Sequence, residues 1–166
     1  MKYCYECGAE LIKRPLKNEG IIPYCTKCEQ YRFPIFSTAV SMVVQNPSKD
    51  KILLIQQYGK KSNVLVAGYV NRGEDTKSAV IREVKEEIGL DVVECDFNKS
   101  EFFEPSNTLM LNFSCVVNDE SLEGLNTEEV DKAEWFSIND AVKNIKPNSL
   151  AQRFLKSFVD CNQNNC

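Results

Sequence analysis

The stretch from Gly68 to Leu90 reads GYVNRGEDTKSAVIREVKEEIGL, and it decides the fold of the chain. Its second half carries apolar residues at helical spacing: Ala79, Val80, Val84 and Ile88. Residues that recur with this period form one face of an α-helix. A glycine such as Gly89 is a common signal for the end of a helix. The spacing therefore predicts a helix that ends at Gly89 and packs its apolar face against a core.

Three carboxylates crowd the other side of this predicted helix. Glu83, Glu86 and Glu87 stand at positions i, i+3 and i+4, which are neighbours on a helix surface. Their like charges repel by roughly 0.2–0.5 kcal/mol per pair, and a divalent cation such as Mg²⁺ would turn that repulsion into attraction. The alternative is an acidic helix face that is simply solvated, with Arg82 and Lys85 as local partners.

The spacing of the whole stretch matches a known signature. Gly68 is followed after five residues by Glu74, and after seven more by the run REVKEEIGL that begins at Arg82. This order is the Nudix box, G-x5-E-x7-R-E-U-x-E-E-x-G-U, where U is a bulky aliphatic residue, and every fixed position is matched. The chain therefore resembles a Nudix hydrolase. The resemblance implies an α/β fold, the Nudix α/β/α sandwich with a mixed sheet, and hydrolysis of a nucleoside diphosphate linked to another group.

The resemblance also implies roles for the box residues. Three glutamates would hold Mg²⁺ or Mn²⁺: Glu83, Glu86 and Glu87. Of these, Glu83 is the first candidate for the base that takes a proton from the attacking water. Arg82 is expected to position a helix carboxylate, and Glu74 to support the junction between loop and helix. Gly68 and Gly89 are expected to allow the tight loop and the end of the helix.

A further glutamate is expected from outside the helix. Residues 129–136 read EVDKAEWF and resemble the E-U-x-x-A-x-W-F segment of the family, which points to Glu129 as an additional metal ligand. Glu128 is adjacent, and the sequence does not decide between the two. A solvated turn is the alternative interpretation of this acidic pair.

Eight cysteines and no histidine restrict metal binding to sulfur and oxygen ligands. Four cysteines form two C-x2-C pairs separated by seventeen residues, a spacing typical of a zinc ribbon: Cys4, Cys7, Cys25 and Cys28. Four thiolates complete the tetrahedral shell of a structural zinc ion and leave no site for water. Two disulfides, four free thiols, or iron in the same shell are the alternatives. Cys161 and Cys166, near the end of the chain, are candidates for reactive thiols.

Turns and periodic runs suggest a zinc ribbon at residues 1–36, a Nudix domain at 37–160 and a frayed tail at 161–166. Strands are predicted at residues 37–45, 51–57, 64–67, 91–97, 100–103, 108–117 and 133–136. Residues 137–140 resemble a capping box that opens a short helix, and apolar residues four apart give a last helix after Leu150. Strands flanked by helices imply a sheet covered on both faces.

The composition is that of an ordinary globular protein. Of 166 residues, 43% are hydrophobic and 27% are charged, and the formal net charge is −4. Residues 1–36 carry six Lys and Arg against four Asp and Glu, an excess too small for a nucleic-acid footprint. No apolar run is long enough for a signal peptide or a membrane span. We therefore expect a cytoplasmic protein with reduced thiols and no membrane partner.

The cysteine ribbon and three further segments resemble the NADH pyrophosphatase branch of the family. The segments are residues 65–70 (LVAGYV), 108–113 (TLMLNF) and 149–151 (SLA). By this resemblance Tyr69 stacks on the nicotinamide, and Gly68 and Ala151 contact the substrate. Core packing is the alternative for such a tyrosine. The S-Q-P-W motif of the branch is replaced by FEPSNT at residues 103–108, which keeps only the proline.

The resemblance therefore predicts a metal-dependent pyrophosphatase that acts, as a homodimer, on NAD(H) or a related dinucleotide. ADP-ribose, FAD or another nucleoside diphosphate derivative is the first alternative. The net charge of −4 does not favour a nucleic-acid partner, although a capped RNA end stays open. The alternative of another class is a non-catalytic regulator that binds nucleotide or nucleic acid. Such a regulator would be expected to have lost box carboxylates, and all of them are present.

Overall fold

The computed structural model describes residues 1–164 of the chain, with side chains up to Asn162. The chain divides into two compact units, Met1–Phe36 and a second unit that begins at Ser37. Each unit has its own sheet, and the two sheets share no strand.

The first unit is a small antiparallel sheet with almost no apolar core. Its strands are β1 (Ile12–Leu16), β2 (Gly20–Cys25) and β3 (Gln30–Tyr31), in the order β1-β2-β3. Within residues 1–36 the buried residues are Cys4, Cys25 and Arg32. Apolar burial on this scale cannot hold a fold, so the unit depends on its cysteines.

The second unit is built on a six-stranded mixed sheet. Its strands are β4 (Ser37–Gln45), β5 (Lys51–Gln57), β6 (Val66–Tyr69), β7 (Val92–Phe103), β8 (Thr108–Val117) and β9 (Val130–Ser137). The order is β7-β8-β4-β5-β9, and β6 pairs with β4. β4 and β8 run parallel with Ser37 opposite Thr108, and the other pairs are antiparallel. The predicted mixed sheet is confirmed.

Helices cover both faces of this sheet. They are α1 (Thr76–Ile88), α2 (Ile138–Asn144) and α3 (Leu150–Asn164). The core cluster under α1 contains Met42 and Val44 of β4, whereas the cluster under α2 and α3 contains Val43. Because successive residues of a strand point to opposite faces, the two clusters lie on opposite sides of the sheet. The predicted α/β/α sandwich is confirmed.

Three strands differ from the sequence-based expectation, and one of them is β9, which covers Val130–Ser137 where residues 133–136 were predicted. The strand predicted at residues 64–67 begins two residues later, because Val64 pairs with Ile55 in an isolated bridge. The strands predicted at 91–97 and 100–103 form the single strand β7. Its register against β8 shifts at two places, and the second shift, between Phe97 and Lys99, lies where the strand was expected to break.

The last helix is longer than its apolar pattern predicts. α3 includes residues 161–164, which belong to the predicted tail, and Cys161 is exposed. Asn165 and Cys166 lie outside the described residues, and with them the reactive thiol suggested for Cys166. No helix within residues 1–164 is long and apolar enough to span a membrane.

The side chain of Asp75 caps the start of α1, and its contribution to stability can be tested. The carboxylate of Asp75 accepts hydrogen bonds from the backbone N–H groups of Lys77 and Ser78, each at 3.0 Å, and so caps the helix. We expect Asp75→Ala to lower the free energy of unfolding by about 1 kcal/mol in urea denaturation, and Asp75→Ser to restore most of it. An Asp75→Ala protein as stable as the wild type would show that this cap does not stabilise the helix.

Candidate active site

Helix α1 directs two of its glutamates inward. Glu83 and Glu87 are 9% and 4% exposed, whereas the side chain of Glu86 is 56% exposed. The helix ends at Gly89, whose φ of 80° is the left-handed conformation that glycine adopts easily. Burying two carboxylates on one helix is unfavourable unless hydrogen bonds or a cation compensate them. The surroundings of these glutamates therefore decide what the site can do.

Arg82 ties the carboxylates of the helix to the loop before it. Its Nε and Nη2 donate hydrogen bonds to the two oxygens of Glu74 at 2.8 and 2.9 Å. Its Nη1 donates to Glu83 at 2.7 Å and to Glu86 at 3.0 Å. Nη2 also reaches the carbonyl oxygen of Tyr69 at 3.0 Å. One guanidinium thus holds three carboxylates and the end of β6, which is the geometry of a positioning residue.

Glu74 connects this guanidinium to the loop. One of its oxygens also accepts a hydrogen bond from the backbone N–H of Asn71 at 2.9 Å. The hydrogen bonds from Arg82 and Asn71 lower the pKa of Glu74, so this carboxyl group is ionised at neutral pH. Glu74 therefore acts between the loop and the helix, as its place in the box suggests.

Within the described residues, Glu87 has no cationic partner. Its Oε2 accepts a hydrogen bond from Nε2 of Gln57 at 3.1 Å. Burial and the charge of Glu83 raise the pKa of Glu87 to about 8, although the hydrogen bond from Gln57 acts in the opposite direction. A divalent cation would relieve this crowding of like charge.

Gly68 leaves the space that Glu83 occupies. A Cβ atom at position 68 would overlap the carboxylate of Glu83, far inside van der Waals contact. Any larger residue would therefore displace Glu83. The requirement for glycine at this box position is one of space.

A cavity of about 400 Å³ opens beside these residues. Of the predicted site residues, six line it: Gly68, Tyr69, Arg82, Glu83, Glu87 and Glu129. Of the seven further lining residues, four carry polar groups and were not predicted as site residues: Tyr58, Asn71, Ser106 and Thr108. Ser106 and Thr108 lie in the segment that replaces the S-Q-P-W motif, so their region could be located by alignment. Tyr58 lies in a turn that nothing in the sequence connects to the box helix.

The loop before β9 brings Glu129 to this cavity. The backbone N–H of Asn126 donates to a carbonyl oxygen of α1 at 3.0 Å, and Gly124 packs directly against Gly89. A Cβ atom at Gly89 would meet the carbonyl oxygen of Gly124 at 2.6 Å. Glu129 lines the cavity and Glu128 does not, so the geometry favours Glu129 of this acidic pair.

Three predicted site residues lie outside the cavity wall. Glu74 and Glu86 contact Arg82 instead. Ala151 packs at the start of α3 against the second core cluster, which explains its position without a ligand. The structure does not bring Ala151 to this cavity, and its contact with the substrate stays a prediction.

The donor chemistry of the site fits a divalent cation. Carboxylate oxygens are the ligands that Mg²⁺ and Mn²⁺ prefer, and those of Glu83, Glu87 and Glu129 meet at one cavity. Among the described residues, only the cysteine group brings three or more ligand atoms within 4.8 Å of one another. The glutamate oxygens are more widely spread, and Arg82 engages Glu83 and Glu86. Cation binding at these two glutamates would therefore compete with Arg82.

Residues 36–158 match the family model described as NUDIX domain. The chain belongs to the Nudix family. The match covers most of the second unit, including the box, the cavity and the loop that carries Glu129. The resemblance inferred from the Nudix box is thereby confirmed.

Curated relatives align over nearly the whole chain. NAD-capped RNA hydrolase NudC of Vibrio atlanticus (strain LGP32) is 25% identical over 162 residues, which are 96% of this chain and 58% of that protein. NAD-capped RNA hydrolase ndx-9 of Caenorhabditis elegans is 27% identical over 159 residues, which are 93% of this chain and 41% of that protein. The chain thus spans about half the length of these relatives. Their names agree with the predicted branch.

Solved structures share the fold at low identity. A crystal structure of a NUDIX hydrolase from Nitrosomonas europaea superposes with a TM-score of 0.66 at 18% identity, over 99% of this chain and 93% of that chain. A crystal structure of an ADP compounds hydrolase gives a TM-score of 0.64 at 22% identity, over 94% and 86% of the two chains. These likenesses support the Nudix fold and say nothing of the substrate.

The four cysteines of the first unit converge on one point. The Sγ atoms of Cys4 and Cys28 are 4.0 Å apart, those of Cys7 and Cys25 are 3.5 Å apart, and all four lie within 4.8 Å of one another. A tetrahedral site with metal–sulfur bonds near 2.3 Å separates its sulfurs by about 3.8 Å. None of the four forms a disulfide. The group therefore fits one metal ion with four thiolate ligands.

A buried arginine offsets the charge of these thiols. Arg32 is 2% exposed; its Nε donates to Sγ of Cys4 at 3.2 Å, and its other nitrogens donate to Gln30 and Glu6. Burial raises the pKa of Cys4, but hydrogen bonds from the Cys7 backbone and from Arg32 outweigh it and lower this pKa to about 6. The thiolate is the form that binds metals, so Arg32 supports a ligand from outside the coordination shell.

Removal of a metal ion from the four cysteines would test whether that ion has a structural role. Since residues 1–36 bury so little, we expect chelation to increase amide hydrogen exchange in β1 and β2 by about a hundredfold or more, while β4 keeps its protection. Metal content is measured by mass spectrometry on the same samples. Unchanged exchange in β1 and β2 after verified metal loss would show that the ion does not hold this unit together.

The close approach of Gly68 and Glu83 gives a second test. We expect Gly68→Ala to weaken Mn²⁺ binding by about tenfold or more, because the added Cβ displaces the Glu83 carboxylate. Adding Glu83→Gln to Gly68→Ala should cause little further loss, since both changes remove the same ligand. Manganese titration followed by electron paramagnetic resonance measures Gly68→Ala, Glu83→Gln and the double variant. Full additivity of the two effects would contradict this coupling between positions 68 and 83.

Proposed function

We propose that the chain is a metal-dependent pyrophosphohydrolase that cleaves the pyrophosphate of a nucleoside diphosphate derivative. The observation that carries the proposal is the meeting of Glu83, Glu87 and Glu129 in one cavity beside Arg82. A solvated acidic face would leave its carboxylates in water, whereas Glu83 and Glu87 are buried. The complete Nudix box and the hydrolase names of the relatives support the same conclusion.

Four glutamates would hold Mg²⁺ or Mn²⁺ in this proposal: Glu83, Glu86, Glu87 and Glu129. The bound cation would neutralise charge on the pyrophosphate and make a bound water more acidic. Among the protein's own groups, Arg82 orients Glu83, and Gln57 orients Glu87. Glu83 stays the first candidate for the base that accepts the proton of the water. The water oxygen forms one P–O bond, the bridging P–O bond breaks, and two monophosphates leave.

As substrate we propose NAD(H) or the NAD-linked end of an RNA. Two curated relatives that align over more than nine tenths of the chain are named NAD-capped RNA hydrolases. Tyr69 is 60% exposed and lines the cavity, so its ring offers an open face for a base or nicotinamide to stack on. Core packing does not account for a tyrosine with this exposure. The two substrates differ in the RNA chain attached to the adenosine.

Other substrates stay as alternatives because the branch motif at residues 103–108 is reduced to its proline. Ser106 and Thr108 of this segment line the cavity and would meet the substrate with hydroxyl groups in place of the aromatic side chain of the motif. ADP-ribose and FAD share the pyrophosphate and the adenosine and remain the first alternatives. A regulator that only binds nucleotide is disfavoured by the complete set of box carboxylates.

For the first unit we propose a structural Zn²⁺ bound by four thiolates: Cys4, Cys7, Cys25 and Cys28. A closed tetrahedral shell leaves no position for substrate, so this ion would hold the unit and take no part in hydrolysis. None of these four cysteines forms a disulfide, which agrees with a reducing compartment such as the cytoplasm. The homodimer stays a prediction from the family resemblance.

A product assay tests the proposed reaction. The protein is given NADH, NAD⁺, ADP-ribose, FAD and an NAD-capped oligoribonucleotide, with Mg²⁺ or with Mn²⁺, and the products are separated by chromatography. We expect NMN(H) and AMP from NAD(H), and no turnover without a divalent cation. Glu87→Gln should lower kcat by about a hundredfold or more. Glu134→Gln, on β9 and paired with Lys132, is the matched control and should keep wild-type activity.

The pattern of turnover decides between the alternatives. ADP-ribose or FAD hydrolysed far faster than NAD(H) would keep the Nudix chemistry and reject the proposed substrate. A protein that binds nucleotides but hydrolyses none of them would favour the regulator. Full activity in Glu87→Gln would contradict the role of the buried carboxylates.

A further inference from the structure

A second groove adjoins the acidic cavity and shares Tyr58 with it. This lysine groove encloses about 200 Å³ and is lined by Gln57, Tyr58, Lys60, Ser62, Val64 and Lys146. Tyr58 is also part of the wall of the acidic cavity. Gln57 donates its hydrogen bond to Glu87, so the groove begins next to the carboxylates proposed to act on the pyrophosphate.

Two lysines give the groove a charge opposite to that of the cavity. Among the described residues, neither Lys60 nor Lys146 forms an ion pair with a carboxylate. Their backbones are fixed: the N–H of Lys146 donates to the carbonyl of Asn63 at 2.8 Å, and that of Lys60 to Gln57 at 3.1 Å. Residues 37–166 carry fourteen Lys and Arg, these two lysines included, against twenty Asp and Glu. Two unpaired ammonium groups in one groove therefore form a local site that attracts anions.

Tyr58 stands at the border in a backbone conformation that is unfavourable for a tyrosine. Its φ is 58° and that of Gly59 is 68°, and the hydrogen bond from Lys60 closes a type I′ turn. Asp131 holds this turn, because its Oδ2 accepts a hydrogen bond from the N–H of Gly59 at 2.7 Å. Tyr58 is 78% exposed, so packing against the core does not explain an aromatic side chain at this position. Residues kept in such conformations cluster at ligand sites.

We propose that the lysine groove binds the RNA chain that follows the dinucleotide of a capped RNA, with phosphates at Lys60 and Lys146 and a base stacked on Tyr58. An aromatic platform beside lysines is how proteins hold single-stranded nucleic acid without reading its sequence. The inference rests on the proposed function, because it requires the pyrophosphate to lie in the acidic cavity. A free dinucleotide has no phosphate beyond its pyrophosphate and does not need the groove.

Two substrates that share one dinucleotide separate the groove from the chemistry. We measure kcat/KM for NAD⁺ and for an NAD-capped oligoribonucleotide in the double variant Lys60→Gln/Lys146→Gln. The expected result is a decrease of about tenfold for the capped RNA and less than about twofold for NAD⁺. The log–log salt dependence for the capped RNA should become shallower by about 0.7 for each phosphate that the groove no longer binds. Lys156→Gln removes one positive charge from α3, outside the groove. It should leave kcat/KM unchanged for both substrates.

The aromatic platform is tested by Tyr58→Asn, because asparagine tolerates the left-handed conformation and keeps the turn. We expect this variant to lower kcat/KM for the capped RNA by about tenfold, the size of one base stack. Tyr58→Phe keeps the ring and should retain wild-type values. Equal losses for Tyr58→Phe and Tyr58→Asn would overturn the stacking role.

Binding is measured separately so that the inference can fail independently of the proposed function. Fluorescence anisotropy of a labelled capped oligoribonucleotide is recorded in a Glu86→Gln background, with and without the two lysine changes. Weaker binding after the lysine changes supports the groove, and unchanged binding overturns it. If the wild type hydrolyses neither substrate, the proposed function fails and this comparison still decides the groove. Equal losses for NAD⁺ and capped RNA in the double variant would also overturn it, since the groove would then serve the dinucleotide.

Discussion

Repulsion between the carboxylates gathered around α1 is the constraint on which the second unit depends. Glu83 and Glu87 are buried on the same helix, and burial together with the charge of Glu83 raises the pKa of Glu87 to about 8. Arg82 donates a hydrogen bond to Glu83 and offsets its negative charge. Glu87 receives a hydrogen bond from a neutral side chain, that of Gln57. Two glycines then fix distances: Gly68 lets Glu83 approach β6, and the close packing at Gly89 seats the loop that carries a further glutamate. Within the described residues Glu87 has no cationic partner, so binding of a divalent cation beside it would be favourable.

The first unit also gathers ligand groups that repel one another when ionised, here thiolates in place of carboxylates. Its four thiols converge within 4.8 Å, and Arg32 is the buried cation beside them. Here the charged cluster also takes the place of an apolar core, because Cys4, Cys25 and Arg32 are the buried residues of residues 1–36. The second unit has two apolar core clusters in addition to its carboxylates, so we expect changes in the carboxylates to leave its fold intact. A metal at the cysteines would therefore act on stability, and a metal at the glutamates on chemistry.

Sequence patterns predicted those features that depend on neighbours along the chain. The end of α1 at Gly89, the spacing of the box and the two cysteine pairs are local, and β4, β5 and β8 begin and end where their apolar runs do. The continuity of β7 depends on its register with β8, which no local pattern contains. Arg32 and Tyr58 were missed for the same reason. The role of Arg32 depends on its contact with Cys4, which is distant in sequence. The role of Tyr58 depends on Lys146 and on the acidic cavity, which are also distant in sequence.

Net charge is a poor guide to the partners of this chain because it sums over distances larger than those at which charges act. At physiological salt the screening length is about 8 Å, so a bound anion senses the nearest few side chains and not the whole surface. The acidic cavity and the lysine groove adjoin at Tyr58 and can both serve one polyanion. In the cavity, the carboxylates would bind phosphate through a divalent cation, and in the groove Lys60 and Lys146 would bind phosphate directly. A substrate that extends past its pyrophosphate would meet both surfaces in turn, and only such a substrate gives the strained, exposed Tyr58 a role.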